Sequence, residues 1–409
     1  MKKIILSLLL PFTLLSQENQ HTLAWKSNFL FESNGLNKKF LDNMLYGGYI
    51  TNEMKSKWIS AGDRNNIINS EVYNGIHYTY EFKKHKISFE FLDVNQLNAN
   101  FTDDLLRLGL EGNFNYQQQN LNFDNTIIRA NRYQQYKIIY TSTINNIMIS
   151  GGLSYLGGNY HLSYIMETGN LYTAELGSYL DIEYSMNAFV TDTSKFSAFT
   201  NNGNGLAMDL RTDFDIQNFG IQLSISDLGF ISWKPSSIGL STDSTFTFRG
   251  VEIEDIFSFN DSILEANNIT NNIIRTNNTS FKSYIPATIQ ISISNRTEYK
   301  YFKGYKIGII KKWQPYLDNK ALSFSKINQG FEESNFNSLY YIQSIIKTKH
   351  LDIIPQLDYG GYTNNLNIGL ALAKGKKNQF IVGTKHLEDV FSGDNAQSLS
   401  FYFSFKKSF

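Results

Sequence analysis

The chain has no cysteine among its 409 residues, so neither disulfides nor thiolate-bound zinc or iron–sulfur clusters hold it together. Proline occurs only 5 times, which leaves few obstacles to long extended segments. Charge is sparse and balanced. The 37 Lys+Arg match the 37 Asp+Glu, so no excess argues for nucleic acid or for strong attraction to an anionic surface. Long apolar runs are missing too. The longest, residues 4–15, contains Pro11, and a spanning helix needs about 20 apolar residues. With a mean hydropathy of -0.30, a membrane location has to be reached with strands closed into a barrel.

What the chain does have suits that barrel. Aromatics reach 15%, with 25 Tyr and 31 Phe against 18% charged residues; interfacial girdles and a lipid face use such rings. At the amino end, Lys2 and Lys3 precede the apolar run, and Ser16 is a small residue before Gln17. This is the layout of a signal peptide over residues 1–16, and it predicts export.

Two-residue periodicity is clearest in four places, the fourth weaker than the rest. Ile221, Leu223 and Ile225 alternate with Gln222, Ser224 and Ser226; Ile289, Ile291 and Ile293 alternate with Gln290, Ser292 and Ser294; Leu399, Phe401, Phe403 and Phe405 alternate with Ser400, Tyr402, Ser404 and Lys406. Tyr172, Ala174 and Leu176 follow it more weakly. Successive strand side chains point to opposite faces, so each segment offers one apolar and one polar surface. A secreted β-sandwich gives the same pattern. Adding further candidates, including 146–155, 160–167 and 322–331, gives about sixteen segments. Weak barrel strands split easily, so the expectation is an all-β, antiparallel transmembrane barrel of about fourteen strands with a short helical insertion. Asn145-Asn146, Gly157-Gly158, Gly169-Asn170 and Lys376-Lys377-Asn378 suit tight hairpins, whereas 191–204 and 235–244 read as longer links. The predicted division is a signal peptide at 1–16, a strand, plug-like or periplasmic segment at 17–70, and the barrel at 71–409, with a long, partly helical loop near 251–280. Within that loop Ile253, Ile256, Phe257, Ile263 and Leu264 approach a helical period.

The segment Gly203-Asn204-Gly205-Leu206-Ala207-Met208-Asp209, followed by Ile225-Ser226-Asp227-Leu228-Gly229-Phe230-Ile231-Ser232-Trp233, resembles a Bacteroidota family of uncharacterised outer-membrane proteins. Ile381-Val382-Gly383-Thr384 and the closing aromatic strand match its tail. Members of that family look like relatives of the long-chain fatty-acid transporter superfamily, which implies fourteen strands and an internal plug. Barrels of similar appearance also serve type IX secretion and gliding. The resemblance carries no functional residue across. From the residues themselves, Asp227 falls on the polar side of the 220–226 alternation, and Gly229 permits a bulge or close backbone approach before Phe230 and Trp233. Asp209, Asp227, Gly229, Phe230 and Trp233 are therefore the candidate assembly or gating residues.

Recognisable reaction chemistry is absent from the motifs. His21, His77, His85, His161, His350 and His386 form no H-x-x-x-H or H-E-x-x-H pair, and no G-x-S-x-G elbow occurs. Gly151-Gly152 and Gly360-Gly361 lack phosphate-loop flanks, and Glu252, Glu254 and Asp255 lack calcium-loop spacing. The reading assigns no catalytic residue, metal or cofactor. Its expected partners are outer-membrane lipid, a hydrophobic or small amphipathic solute, or an envelope protein. Its function is solute transport or binding, with a non-enzymatic scaffold or accessory subunit of an envelope system as the alternative.

Overall fold

In the computed structural model, the described residues are 20–62, 65–191, 200–249, 274–276, 279–295, 297, 302–315 and 324–409. The predicted signal segment and nearly all of the predicted helical loop lie outside them. Fourteen antiparallel passes make one sheet. The first five are β1 (Gln20–Ser33), β2 (Asn65–Phe82), β3 (His85–Thr102), β4 (Thr126–Ile144, preceded by the short piece Asn120–Asn122) and β5 (Ile147–Thr173). Three interrupted passes follow: β6 (Leu180–Val190 and Gly203–Ile216), β7 (Phe219–Trp233 and Ile238–Phe248) and β8 (Ile274–Thr276, Phe281–Tyr284 and Ala287–Asn295). The remainder are β9 (Phe302–Trp313), β10 (Asn337–Lys347), β11 (Asp352–Gly361), β12 (Asn365–Lys374), β13 (Asn378–Thr384) and β14 (Ser398–Ser408). The closing aromatic strand pairs with the first, Trp25 opposite Phe405 and Phe29 opposite Phe401, so the sheet has no free edge there.

Alternation decides which face meets lipid. Trp25, Phe89, Ile138, Leu153, Leu206, Ile291, Ile307 and Phe401 all point outward and are exposed, Leu153 by 73%. A belt this apolar is an aggregation surface in water and a stable one in hydrocarbon. The fold is therefore that of an outer-membrane barrel. Rings from His21, Tyr80, Phe82, His85 and Tyr140 succeed one another at centroid spacings of 5.0 to 5.9 Å near the tight-turn end, as an interfacial girdle does.

The two ends differ. At one, tight turns follow β2, β4 and β6; Asn145 and Asn146 take φ of 47° and 67°, the left-handed pair that a two-residue hairpin needs. At the other end lie the helices. α1 (Lys38–Tyr46), α2 (Asn52–Ala61) and α3 (Asp103–Glu111) begin on Asn37, Thr51 and Thr102, whose side chains accept the amides of Phe40, Met54 and Leu105. Leu36, Phe40, Trp58 and Leu106 form a small core between them. Among the described residues, α4 (Phe324–Glu332) and α5 (Leu387–Val390) also lie at this end. Short turns face the periplasm and long connections the exterior in barrels of this kind.

Several sequence expectations change. Within the segment 17–70, read as strand, plug-like or periplasmic, β1 is wall strand and residues 38–61 are mostly helical. Gly157-Gly158 and Gly169-Asn170 are not hairpins, because one 27-residue strand, β5, runs through both. Of the expected link at 235–244, residues 238–244 are strand, and much of 322–331 is helix α4. Leu176 lies in a short 3-10 turn with φ 55°, so the Tyr172–Leu176 alternation belongs to a strand end.

Candidate functional site in the lumen

The lumen is built by the inward-facing alternate residues of all fourteen passes, and β7 is where their phase changes. Ile221, Leu223 and Ile225 face lipid, and strict alternation would send residues 227, 229, 231 and 233 the same way. Instead, Met208 pairs with Leu228 while Leu210 pairs with Ile225, so Ser226 and Asp227 stand opposite Asp209 alone. This is a β-bulge, with Asp227 at φ 60° and its amide 2.6 Å from Asp209 Oδ1. Beyond the bulge Ile231 and Trp233 turn inward, and Phe230 turns outward.

Trp233 then completes an apolar cluster with Val94, Tyr133, Leu156, Ala207, Ile231, Phe281 and Ile285, drawn from β3 through β8. It is 2% exposed, and its indole N–H donates to Ser283 Oγ at 2.8 Å. Its ring lies on Gly158 and Gly203: a Cβ at either glycine would come within 2.7 Å of it. The His161 ring sits 5.2 Å from both Trp233 and Phe281.

A charged layer lies beside the bulge. Lys137 of β4, 7% exposed, reaches Asp209 at 2.7 Å and Asp227 at 2.9 Å. Gln135 donates to Asp227 at 2.7 Å and to Ser154 at 3.0 Å. Each buried charge thus has an opposite charge or a donor against it, as burial requires.

A second layer crosses the barrel. Glu71 on β2 and Lys312 on β9 are seven passes apart in a ring of fourteen, on opposite walls, yet they form an ion pair. Tyr73 donates to Glu71 at 3.4 Å and accepts from Gln96 at 2.7 Å. The Lys312 ammonium also lies 4.9 Å from the Tyr362 ring centre and 5.2 Å from that of Phe336, cation–π distances. Arg129 of β4 likewise spans to the backbone carbonyls of Gln314 and Glu333, at 3.3 and 3.0 Å.

Two lumenal cavities lie beside these bridges among the described residues. One, of about 370 Å³, is bordered by Glu71, Lys306, Lys312, Phe336, Tyr341 and Tyr362. The other, of about 440 Å³, is bordered by Lys86, Lys137, Asp209, Arg211 and Ser224, and Gln290 touches both. Gln290 is itself held by the Tyr341 hydroxyl at 2.7 Å.

Of the five candidates, Asp209 and Asp227 meet on Lys137, Gly229 packs its backbone against Ala207 and Leu206, and Trp233 lies in the apolar cluster. A Cβ at Gly229 would fall 2.3 Å from the Leu206 carbonyl oxygen. Phe230 stands apart on the outer face, with the Lys282 ammonium 5.0 Å from its ring centre. Sequence reasoning missed Lys137, Gln135, Glu71 and Lys312. The isolated charges of Lys137, Glu71 and Lys312 within otherwise patterned strands were the available signal, and the neutral Gln135 gave none.

A family model described as a family of unknown function (DUF5723) matches residues 23–384. No curated protein matches the chain. Among solved structures, the Ralstonia pickettii toluene transporter TbuX is similar over 96% of this chain and 90% of its own, with 8% identity and a TM-score of 0.44. The P. putida toluene transporter TodX gives 97%, 91%, 7% and 0.43 in the same order. The translocator domain of the autotransporter NalP from Neisseria meningitidis gives 100%, 94%, 5% and 0.34.

Proposed function

We propose that this chain, which belongs to the DUF5723 family, is a non-enzymatic outer-membrane barrel that binds a small amphipathic solute in its lumen and passes it across the membrane when the lumenal bridges part. The observation that carries this reading is the Glu71–Lys312 pair between opposite walls, flanked by the rings of Phe336 and Tyr362. An ion pair inside a ring of aromatics offers polar and apolar contacts at once. The adjoining cavity of about 370 Å³ sits at the small end of ligand pockets, typically about 300–1,000 Å³, which favours a compact solute over a long acyl chain. Layers that touch across the lumen also argue against a general porin, whose lumen is an aqueous channel.

The test combines native mass spectrometry with bilayer recording on protein gently extracted from its own membrane. Wild type should carry a small-molecule adduct of a few hundred daltons and show no steady conductance. Lys312→Met should lose the adduct and conduct more often. Steady ohmic conductance in wild type, or an adduct unaffected by the substitution, would rule the reading out.

One observation favours the alternative of an accessory subunit. Met44, Leu45, Tyr46 and Tyr49, at the helical end, are 65–87% exposed, an apolar tip of the kind that partners cover. Stoichiometric copurification of an envelope protein, lost in a Tyr46→Ser/Tyr49→Ser variant, would support it.

A further inference from the structure

The connection between β13 and β14 holds a histidine, His386, that borders the smaller lumenal cavity together with Glu32. His386 is 1% exposed, and its two ring nitrogens face carboxylates, Nε2 that of Glu32 at 3.2 Å and Nδ1 that of Glu388 at 3.5 Å. A ring nitrogen of His386 and carboxylate oxygens of Glu388 and Asp389 lie within 4.8 Å of one another. We infer that these three residues form a binding site for a divalent transition-metal cation of the zinc type.

Three features of the surroundings support it. First, both carboxylates are already oriented. Glu388 accepts the Ile368 amide at 2.9 Å through Oε2, leaving Oε1 turned to the imidazole, and Asp389 accepts the Ser398 amide at 2.8 Å through Oδ2. Second, the spacing of His386 and Glu388 fits. His386 Nδ1 and Glu388 Oε1 are 3.5 Å apart. Two ligand atoms so spaced, each ~2.1 Å from an ion, subtend ~113°, close to the tetrahedral ~109°. Third, Nε2 of His386 faces Glu32 Oε1 at 3.2 Å. A carboxylate behind the far ring nitrogen fixes the tautomer that leaves Nδ1 free to ligate, the usual arrangement around metal-bound histidine. Glu388 remains 33% exposed, so an ion can enter from solvent.

One nitrogen with two carboxylate oxygens suits zinc or its first-row neighbours, whereas calcium prefers six to eight oxygens. The position gives such an ion a structural task. Glu32 comes from the end of β1, and the anchoring amides come from β12 and β14, so the site straddles the seam where the barrel closes. The rival arrangement has no metal: an imidazolium wedged between Glu32 and Glu388. Burial opposes that charge, but the two carboxylates outweigh it and hold the imidazole pKa above its ordinary value.

The experiment is a titration of tag-free, chelator-stripped, detergent-solubilised barrel with zinc chloride, followed by calorimetry and by the thermal midpoint of the heat-modifiable gel shift. One zinc per barrel should bind and raise the midpoint, as any ligand selective for the folded state does. Glu388→Gln and Asp389→Asn should each lower the affinity by at least tenfold while the apo-protein folds normally, and Glu32→Gln should weaken it by roughly 10–100-fold through the imidazole. Calcium should not substitute. Absence of saturable zinc binding, or binding unchanged in Glu388→Gln and Asp389→Asn, would overturn the site and leave the imidazolium clasp, without affecting the lumenal reading.

Discussion

Replacing Asp227 tests the bulge, because backbone and side-chain contributions can be separated at that one position. Its φ of 60° lies in the left-handed region, which aspartate, asparagine and glycine enter more readily than alanine does. Its carboxylate accepts from Gln135 and pairs with Lys137, while Lys137 keeps Asp209 as a second partner. Hydrogen bonds to charged groups contribute about 1.5–3 kcal/mol each. Because Lys137 stays paired, Asp227→Gly should cost about 2 kcal/mol, towards the lower end of that range. Asp227→Ala adds the strain of a Cβ at positive φ, roughly 1 kcal/mol more than glycine, for about 3 kcal/mol in all. Asp227→Asn keeps the backbone preference and an acceptor for Gln135, so about 1 kcal/mol is expected. The assay is reversible guanidinium unfolding in lipid vesicles, with each midpoint converted to a free energy. Alanine no worse than glycine would refute the left-handed bulge, and asparagine as harmful as alanine would refute the contact account. Normal stability with loss of a bound solute would instead make Asp227 a gate.

Further substitutions probe the other layers. Lys137→Met leaves Asp209 and Asp227 without their shared cation and should cost about 3–5 kcal/mol in the same assay, partly restored by adding Asp209→Asn. Gly203→Val places a Cβ 2.7 Å from the Trp233 ring and should destabilise by about 1–3 kcal/mol while shifting Trp233 fluorescence. Trp58→Ala empties the helical cap, where Trp58 is 2% exposed and donates to Asn37 at 3.1 Å; a loss of about 3–5 kcal/mol, together with faster proteolysis between residues 38 and 61 and little change in the barrel's gel shift, is expected.

The lipid face was legible because the bilayer imposes one rule on every strand. Ile221–Ile225, Ile289–Ile293 and Leu399–Phe405 alternate cleanly where hydrocarbon demands it, and all three segments are wall strands. Segments reaching beyond the bilayer lose that demand. Residues 238–244, rich in Ser and Thr, read as part of a link yet belong to the strand Ile238–Phe248, which pairs with Leu180–Val190. Gly157-Gly158 read as a turn because glycine serves two needs, positive φ and absence of a side chain; here Gly158 serves the second, seating Trp233. The lumenal contacts were less legible still. Glu71 and Lys312 lie 241 residues apart, and Arg129 lies 204 from Glu333, so only closure of the ring brings them together.

The 203–233 block ties these levels together. It reads as a motif, and its residues solve one geometric problem: how a strand that is apolar on its lipid face can also deliver bulk to the lumen. One extra residue at Asp227 reverses the phase, so Ile231 and Trp233 leave the lipid face without any change in the strand's course below. Asp209 holds the bulge amide, Lys137 pairs with both carboxylates, and Gly203 and Gly158 make room for the indole that arrives. The polar layer and the apolar cluster therefore meet at one bulge, and the proposed gating predicts that parting Lys137 from Asp227 would loosen the backbone that aims Trp233. A solute able to compete for those charges would act on the apolar closure through the backbone, which is the coupling a gated lumen needs.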